Sequence, residues 1–287
     1  MKMKAHSIVM IACWSGTYPW YLPYFIHSCG FNPSVDFIIV SDNSETIENL
    51  PPNLKIIYKP LEEMEQMASE KLGLVAAIKH GYKLNDFKPA YAYIFSDLVV
   101  GYDFWGHMDL DIILGNLREF LDDTMLCTYD FISVRHDFTA GCFCLYKNNP
   151  KINRLFMRSK DYREVMSSPE HCCFDECNFA YDWVMNGYSI LDLKTEIESF
   201  TEVVKRAEMA GDIKAHFDFI LMEGKTGKIV FDNGRIIYKN QFEAILYHLY
   251  WLKRVYNPTK IGAIPSKYWI SPSRIYHSRK ELIKTKD

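Results

Sequence analysis

Short apolar runs that alternate with helical repeats predict a layered α/β fold with a largely parallel central sheet. Two observations carry that expectation. Residues 7–13, 35–40 and 54–58 are strand-length runs rich in Ile and Val. Between and after them lie segments of helical character: aromatic 18–29, with Pro19 near its start, and 61–80. In the second, Leu61, Met64, Ala68, Leu72, Val75 and Ile78 recur at three- and four-residue steps.

The remaining elements come in order along the chain. Residues 87–95 read as a short helix, 103–108 as an aromatic strand, and 130–134 and 141–146 as further strands. Residues 174–186 suit a helix. Residues 228–238 form a hairpin, because Asn233-Gly234 supplies the positive φ angles of a tight turn. No internal repeat and no clear linker divides the chain. The expectation is one domain, 1–254, followed by a basic, aromatic extension, 255–287, broken up by Pro258, Pro265 and Pro272.

Composition bounds the function. With 48% hydrophobic and 24% charged residues in 287, the chain is long enough to bury a substantial core, and disorder as its main state is excluded. The longest clean apolar run, 8–13, is far too short for a bilayer span, and no signal peptide is read at the N-terminus. Eight cysteines without a secretion signal point to reduced thiols and a cytoplasmic protein. From Lys253 onward, nine Lys/Arg stand against two Asp/Glu, a net +7; the first 252 residues carry 24 against 34, a net −10. An acidic body argues against a nucleic-acid partner. A basic tail carrying Tyr256, Tyr268, Trp269, Ile270 and Tyr276 suits peripheral contact with an anionic membrane, or simply a solvated C-terminus.

The chemistry concentrates in 102–115, where an aromatic strand runs straight into Asp109-Leu110-Asp111. Ligands of open α/β sheets bind outside the carboxyl ends of the strands. Two carboxylates at i, i+2 there can hold a hard divalent cation, Mg²⁺ or Mn²⁺, that bridges to substrate phosphates. A bare Asp-x-Asp is common by chance, so its place after the strand gives it meaning.

Asp86-Phe87-Lys88-Pro89-Ala90-Tyr91, then Gly101-Tyr102-Asp103-Phe104-Trp105-Gly106-His107, then Asp109-Leu110-Asp111, resembles an uncharacterised bacterial glycosyltransferase-like family. That family is often found among capsule and cell-surface polysaccharide genes. It is similar to nucleotide-sugar transferases of the GT-A fold. The resemblance runs from the first strand to about Arg254 and is most specific over 86–115. It implies a metal-dependent transfer from a nucleotide-diphosphate sugar, UDP-sugar above all, to a saccharide or lipid-linked saccharide acceptor. It also implies roles. Asp109 and Asp111 hold the metal and donor, and Asp42, at the end of the second strand, contacts the nucleoside. Lys88 approaches a phosphate as a point charge. Asp175 and Glu176 act on the acceptor hydroxyl, and His248 returns to the metal, with Lys253 and Arg254 facing the diphosphate.

Each assignment has a plainer counterpart. Asp42 also suits a turn, Lys88 a solvated helix start, Asp175 and Glu176 the first turn of a helix, and His248 a satisfied histidine. Cys142 and Cys144 stand where other small or polar residues are expected, which leaves the acceptor open. His171, Cys172, Cys173 and Cys177 offer soft ligands, but no Cys-x-x-Cys pair occurs, so buried free thiols are expected rather than zinc. Two other functions compete: a sugar nucleotidyltransferase, disfavoured because Cys13-Trp14-Ser15-Gly16-Thr17 is not a glycine-rich basic loop, and a catalytically dead sugar-nucleotide-binding relative.

Overall fold

The computed structural model describes residues 5–284. Its main body is a mixed, mostly parallel seven-stranded sheet flanked by helices. The first strand, β1 (Ile8–Trp14), is buried on both faces and so becomes a central strand. It is followed by helix α1 (Leu22–Gly30), β2 (Val35–Ser41), β3 (Leu54–Tyr58) and helix α2 (Leu61–Leu72). β4 (Phe104–Met108) then pairs with β1 on the side opposite β2. The strand order therefore reverses between β1 and β4, and a crevice opens at their carboxyl ends.

After β4, β5 (Ile112–Leu114) leaves the main sheet, β6 (Phe131–Ser133) and β7 (Phe143–Lys147) extend it, and β8 (Ala215–Phe217) closes its edge. The next two pairings, β4 with β7 and β7 with β6, are antiparallel, and β8 lies parallel to β6. Gly106 in β4 lets the chains approach: a Cβ there would meet the Cys144 carbonyl at 2.5 Å. β9 (Leu221–Met222) and β13 (Leu246–His248) join β5 in a small three-stranded sheet. The register pairs His248 with Ile112, and the Leu249 N–H donates to the Asp111 carbonyl at 2.8 Å. Ser28 and Asn32, at the end of α1, fasten this unit through Leu114, Gly115 and Leu117.

Several expectations are corrected. The helix from 61 ends at Leu72, because Gly73 turns left-handed (φ 63°), and Val75, read as a core position, is 81% exposed. The 87–95 helix is a 3₁₀ stretch, Gly81–Ala90, followed by one α turn, Tyr91–Ile94. Most of the 174–186 helix is absent; only Tyr181–Met185 is helical. Tertiary hydrogen bonds win there. The carbonyls of Phe174 and Glu176 accept from the N–H groups of Phe200 and Thr201, and Asp86 accepts from the N–H groups of Cys172 and Phe174.

The hairpin forms as expected, with β10 (Ile229–Asp232) and β11 (Arg235–Tyr238) joined by Asn233 and Gly234 at φ 50° and 85°. The boundary expected at residue 254 is crossed by strand pairing. β14 (Lys267–Ile270) pairs with β10, and β15 (Ile275–Tyr276) with β14, in a five-stranded sheet that also holds β12 (Phe242–Ala244). Tyr268 stacks on Phe231 at 4.7 Å, and the Tyr24 hydroxyl lies 2.7 Å from His277. Ile270 and Tyr276 are buried as well. These side chains are in the core and not available to a headgroup layer; Trp269 and Tyr256 are only half-buried.

Candidate active site

The crevice between β1 and β4 is where the sequence-predicted residues converge. At the end of β1, Ser15 Oγ and the Gly16 N–H donate to the Asp42 carboxylate, at 2.5 and 2.7 Å. Asp42 thus organises the loop after β1, at the crevice rim. At the end of β4 sits Asp109, whose own N–H donates to the Cys142 carbonyl on β7's approach. Asp111 lies two residues on, and β13 carries His248 to it.

Ligand atoms of Asp109, Asp111 and His248 all lie within 4.8 Å of one another, the one group of this kind among the described residues. Two carboxylates and an imidazole fit a borderline-hard divalent ion such as Mn²⁺. Asp109 is the most open of the three, leaving a side for further ligands. Around Asp111 the charge is balanced by cations: Lys253 Nζ at 2.6 Å and His248 Nε2 at 3.4 Å. Burial would push the Asp111 carboxyl up, but His248 and Lys253 hold it well below the carboxylate range. Burial opposes charge on His248, yet Cys142 and Asp111 raise its pKa well above the ordinary value. Behind the ring, Glu223 Oε2 lies 3.4 Å from Nδ1. Glu223 also pairs with Arg135, which in turn grips Asp137 through two donors at 2.8 and 2.7 Å. Such support orients a ligating imidazole.

Asp175 and Glu176 lie on the other side of Lys88. The Lys88 ammonium is buried and faces Asp109 Oδ1 at 2.6 Å, the Gly141 carbonyl at 2.9 Å and Asp175 Oδ2 at 3.5 Å. Lys88, expected beside a phosphate, donates to Asp109 and to the Gly141 carbonyl and forms a longer ion pair with Asp175. Burial disfavours its charge, but Asp109 and Asp175 overcome that and raise its pKa. Glu176 accepts from the Gly141 N–H at 3.0 Å and from the Tyr181 hydroxyl. Gly141 is required there: a Cβ would stand 2.9 Å from carboxylate oxygens of both acids. Burial pushes Glu176 up to about 7, with the charge of Cys173 adding to it, and burial likewise raises Asp175 well above its ordinary value. These acids are not in the first turn of a helix. They sit in a tight loop in which Cys173, Asn178 and Phe179 all take positive φ.

That loop is anchored by a buried unit that no local sequence pattern singles out. Lys83 and Asp86 form a fully buried pair at 2.9 Å, Lys83 also donates to the carbonyls of Val165 and Glu170, and His171 Nδ1 lies 3.2 Å from Asp86. Glu223, Arg135, Lys83 and Tyr181 were missed because none falls in a local pattern and each meets a partner distant in sequence or across a loop; Asp137 matters only through Arg135. Arg254, expected to face the diphosphate, stacks on Tyr250 at 4.1 Å, and the Tyr250 ring lies 5.8 Å from that of His248. All eight cysteines are free thiols.

The chain belongs to a protein family of unknown function, DUF6625, whose model matches residues 10–279. No curated protein matches it. Among solved structures it is similar to the galactosyltransferase LgtC, in complex with donor and acceptor sugar analogues, at 8% identity and a TM-score of 0.35, over 75% of each chain. Mouse xyloside xylosyltransferase 1 gives 8% identity and a TM-score of 0.40, over 84% of this chain and 97% of that one. The PaToxG glycosyltransferase gives 16% identity and a TM-score of 0.33, over 72% of each. Likenesses this distant carry no argument about activity, which has to come from the geometry of the site itself.

Proposed function

We propose that the protein is a metal-dependent glycosyltransferase of GT-A type, transferring a sugar from a nucleotide-diphosphate donor, UDP-linked, to a saccharide or lipid-linked saccharide acceptor. One observation carries the reading. Ligand atoms from Asp109, Asp111 and His248, brought from two separate sheets, lie within 4.8 Å of one another at the crevice where strand order reverses. The resemblance of residues 86–115 to glycosyltransferase-like sequences supports the donor class.

Asp109, Asp111 and His248 would hold Mn²⁺ or Mg²⁺, which when bound neutralises a diphosphate leaving group. The chain's own groups do the rest. Lys253, beside Asp111, adds positive charge on the donor side, and Asp42 at the rim of the crevice suits a nucleoside hydroxyl. Glu176, its oxygens oriented by Gly141 and Tyr181, has a pKa matched to taking a proton from an acceptor hydroxyl near neutral pH. Asp175, tied to Lys88, fixes the loop beside it.

Isothermal titration with UDP, with and without Mn²⁺, tests the reading. Mn²⁺-dependent binding that Asp111→Asn abolishes supports it, and equal binding by wild type and variant overturns the metal assignment. A screen of nucleotide sugars for nucleotide release then identifies the donor. No helix among the described residues is long and apolar enough to cross a membrane. Peripheral contact belongs to the same reading and rests on the net positive charge from Lys253 onward. Sedimentation with anionic but not neutral liposomes, reversed by salt, checks it.

A further inference from the structure

Beyond the acid pair, the same loop opens into a groove of about 460 Å³, lined by Phe179, Trp183, Leu193, Lys194, Thr195 and Glu196 among others. Two aromatic rings in this lining are left in water: Phe179 and Trp183 are each 56% exposed. Tyr82 (66%) and Tyr188 continue the exposed strip. The rings contact one another only by their edges. His171 sits between Tyr82 and Phe179, at 4.5 and 5.6 Å, and Tyr188 lies 5.2 Å from Trp183.

Exposure alone means little, but the backbone at Phe179 adds an independent observation. Its φ is +60°, directly after Asn178 at +48°. A bulky residue in the left-handed region is strained, and such strain persists where the surroundings impose it, often at ligand sites. Burial does not compensate, since the ring is exposed. The surroundings here are specific. The Asn178 side chain bridges the Cys172 carbonyl and the Glu196 N–H, which locks the turn and presents the ring outward.

The strip also leads to the acids. Tyr82 packs edge-on against His171 at 4.5 Å, and His171 lies four residues before Asp175 in the same loop. Tyr181, two residues before Trp183, donates to Glu176. Lys194 and Glu196 form no ion pair among the described residues, leaving a cation and a carboxylate at the groove. Flat apolar faces flanked by hydrogen-bonding groups match a pyranose ring. Its C–H face packs on the electron-rich ring face, and its hydroxyls meet the polar rim.

We infer that this groove is the acceptor subsite and that the acceptor is a glycan of several sugar rings, laid on Phe179 and Trp183 with its reactive end toward Tyr82 and Glu176. The inference rests on the transferase reading for the word acceptor, but its binding test does not. Saturation-transfer NMR with maltohexaose, cellohexaose, laminarihexaose and chitohexaose, each against its monosaccharide, is the experiment. At least one hexasaccharide should bind more tightly than its monosaccharide. Trp183→Ala and Phe179→Gly should each weaken it about tenfold, while Trp183→Phe retains it. Phe179→Gly should leave the melting temperature unchanged or raised, because glycine tolerates that φ. UDP–Mn²⁺ affinity should be unchanged in all three variants.

Binding of no hexasaccharide, binding indifferent to Phe179 and Trp183, or a dimer in sedimentation that Trp183→Ala dissociates, would each overturn the inference. Glycan binding without UDP–Mn²⁺ binding would leave the platform standing and remove the transferase reading instead.

Discussion

The two acidic clusters beside Lys88 are both built on carboxylates, and they shift them in opposite directions. Around Asp111, His248 and Lys253 more than offset burial, and the carboxyl is held ionised. At Asp175 and Glu176 burial outweighs the one nearby lysine, and both carboxyls are pushed above their ordinary values, Glu176 to about 7. An ionised carboxylate beside an imidazole can hold a cation. A buried acid poised near neutrality can exchange a proton. The difference lies in the number of cations supplied: two for Asp111, and one lysine, already shared with Asp109, for the acid pair.

Removing the shared lysine should break both clusters at once. Lys88→Met leaves Asp109 and Asp175 without their common partner, and a cost of about 3–5 kcal/mol is expected in chemical denaturation. Stability equal to wild type would mean that the two clusters are independent. Next in size, Asp111→Asn should lower UDP–Mn²⁺ affinity by more than about 100-fold, since loss of a supporting group alone costs about 10- to 100-fold. The acid pair should respond differently: Glu176→Gln should cut kcat strongly with donor affinity near wild type, measured by nucleotide release against titration. Parallel losses in both would merge the two clusters into one site.

Titration sharpens the contrast further. The folded state raises Glu176 to about 7 from 4.5, so it favours the protonated form. The corresponding stability is present below the ordinary value and is lost as pH rises toward about 7. Wild type should therefore lose stability relative to Glu176→Gln across that window, read from denaturation midpoints at several pH values. A flat difference would mean that the carboxyl is ionised throughout. Arg254→Ala is the smallest change. The side chain is exposed and stacked on Tyr250, whose ring lies 5.8 Å from that of His248, so stability should move by less than about 0.5 kcal/mol and UDP–Mn²⁺ affinity, read by titration, should fall less than in Asp111→Asn.

The elements that were legible have local signals. The runs that became β1, β2 and β3 are apolar enough to be buried strands, and Asn233-Gly234 names its own turn. The aromatic run into Asp109-Leu110-Asp111 marks a strand end where ligands bind, and the resemblance over 86–115 supplied the chemistry expected there. Where local preference met a tertiary competitor, the reading failed. The segment after Cys173 has helical residues, but its carbonyls are claimed by Phe200 and Thr201. The tail after 254 looks like loose polar chain until Tyr268 meets Phe231.

By itself, then, the sequence determined the α/β class, the strands of the parallel half and the carboxylates at the end of β4, because hydrophobic period and turn chemistry act over a few residues. Tertiary structure alone decided that Lys253 reaches across 142 residues to Asp111 and that Lys88 is shared between two acidic clusters. It also decided that Glu176 is poised near neutrality. These depend on which charges share a buried volume, and no spacing along the chain encodes that.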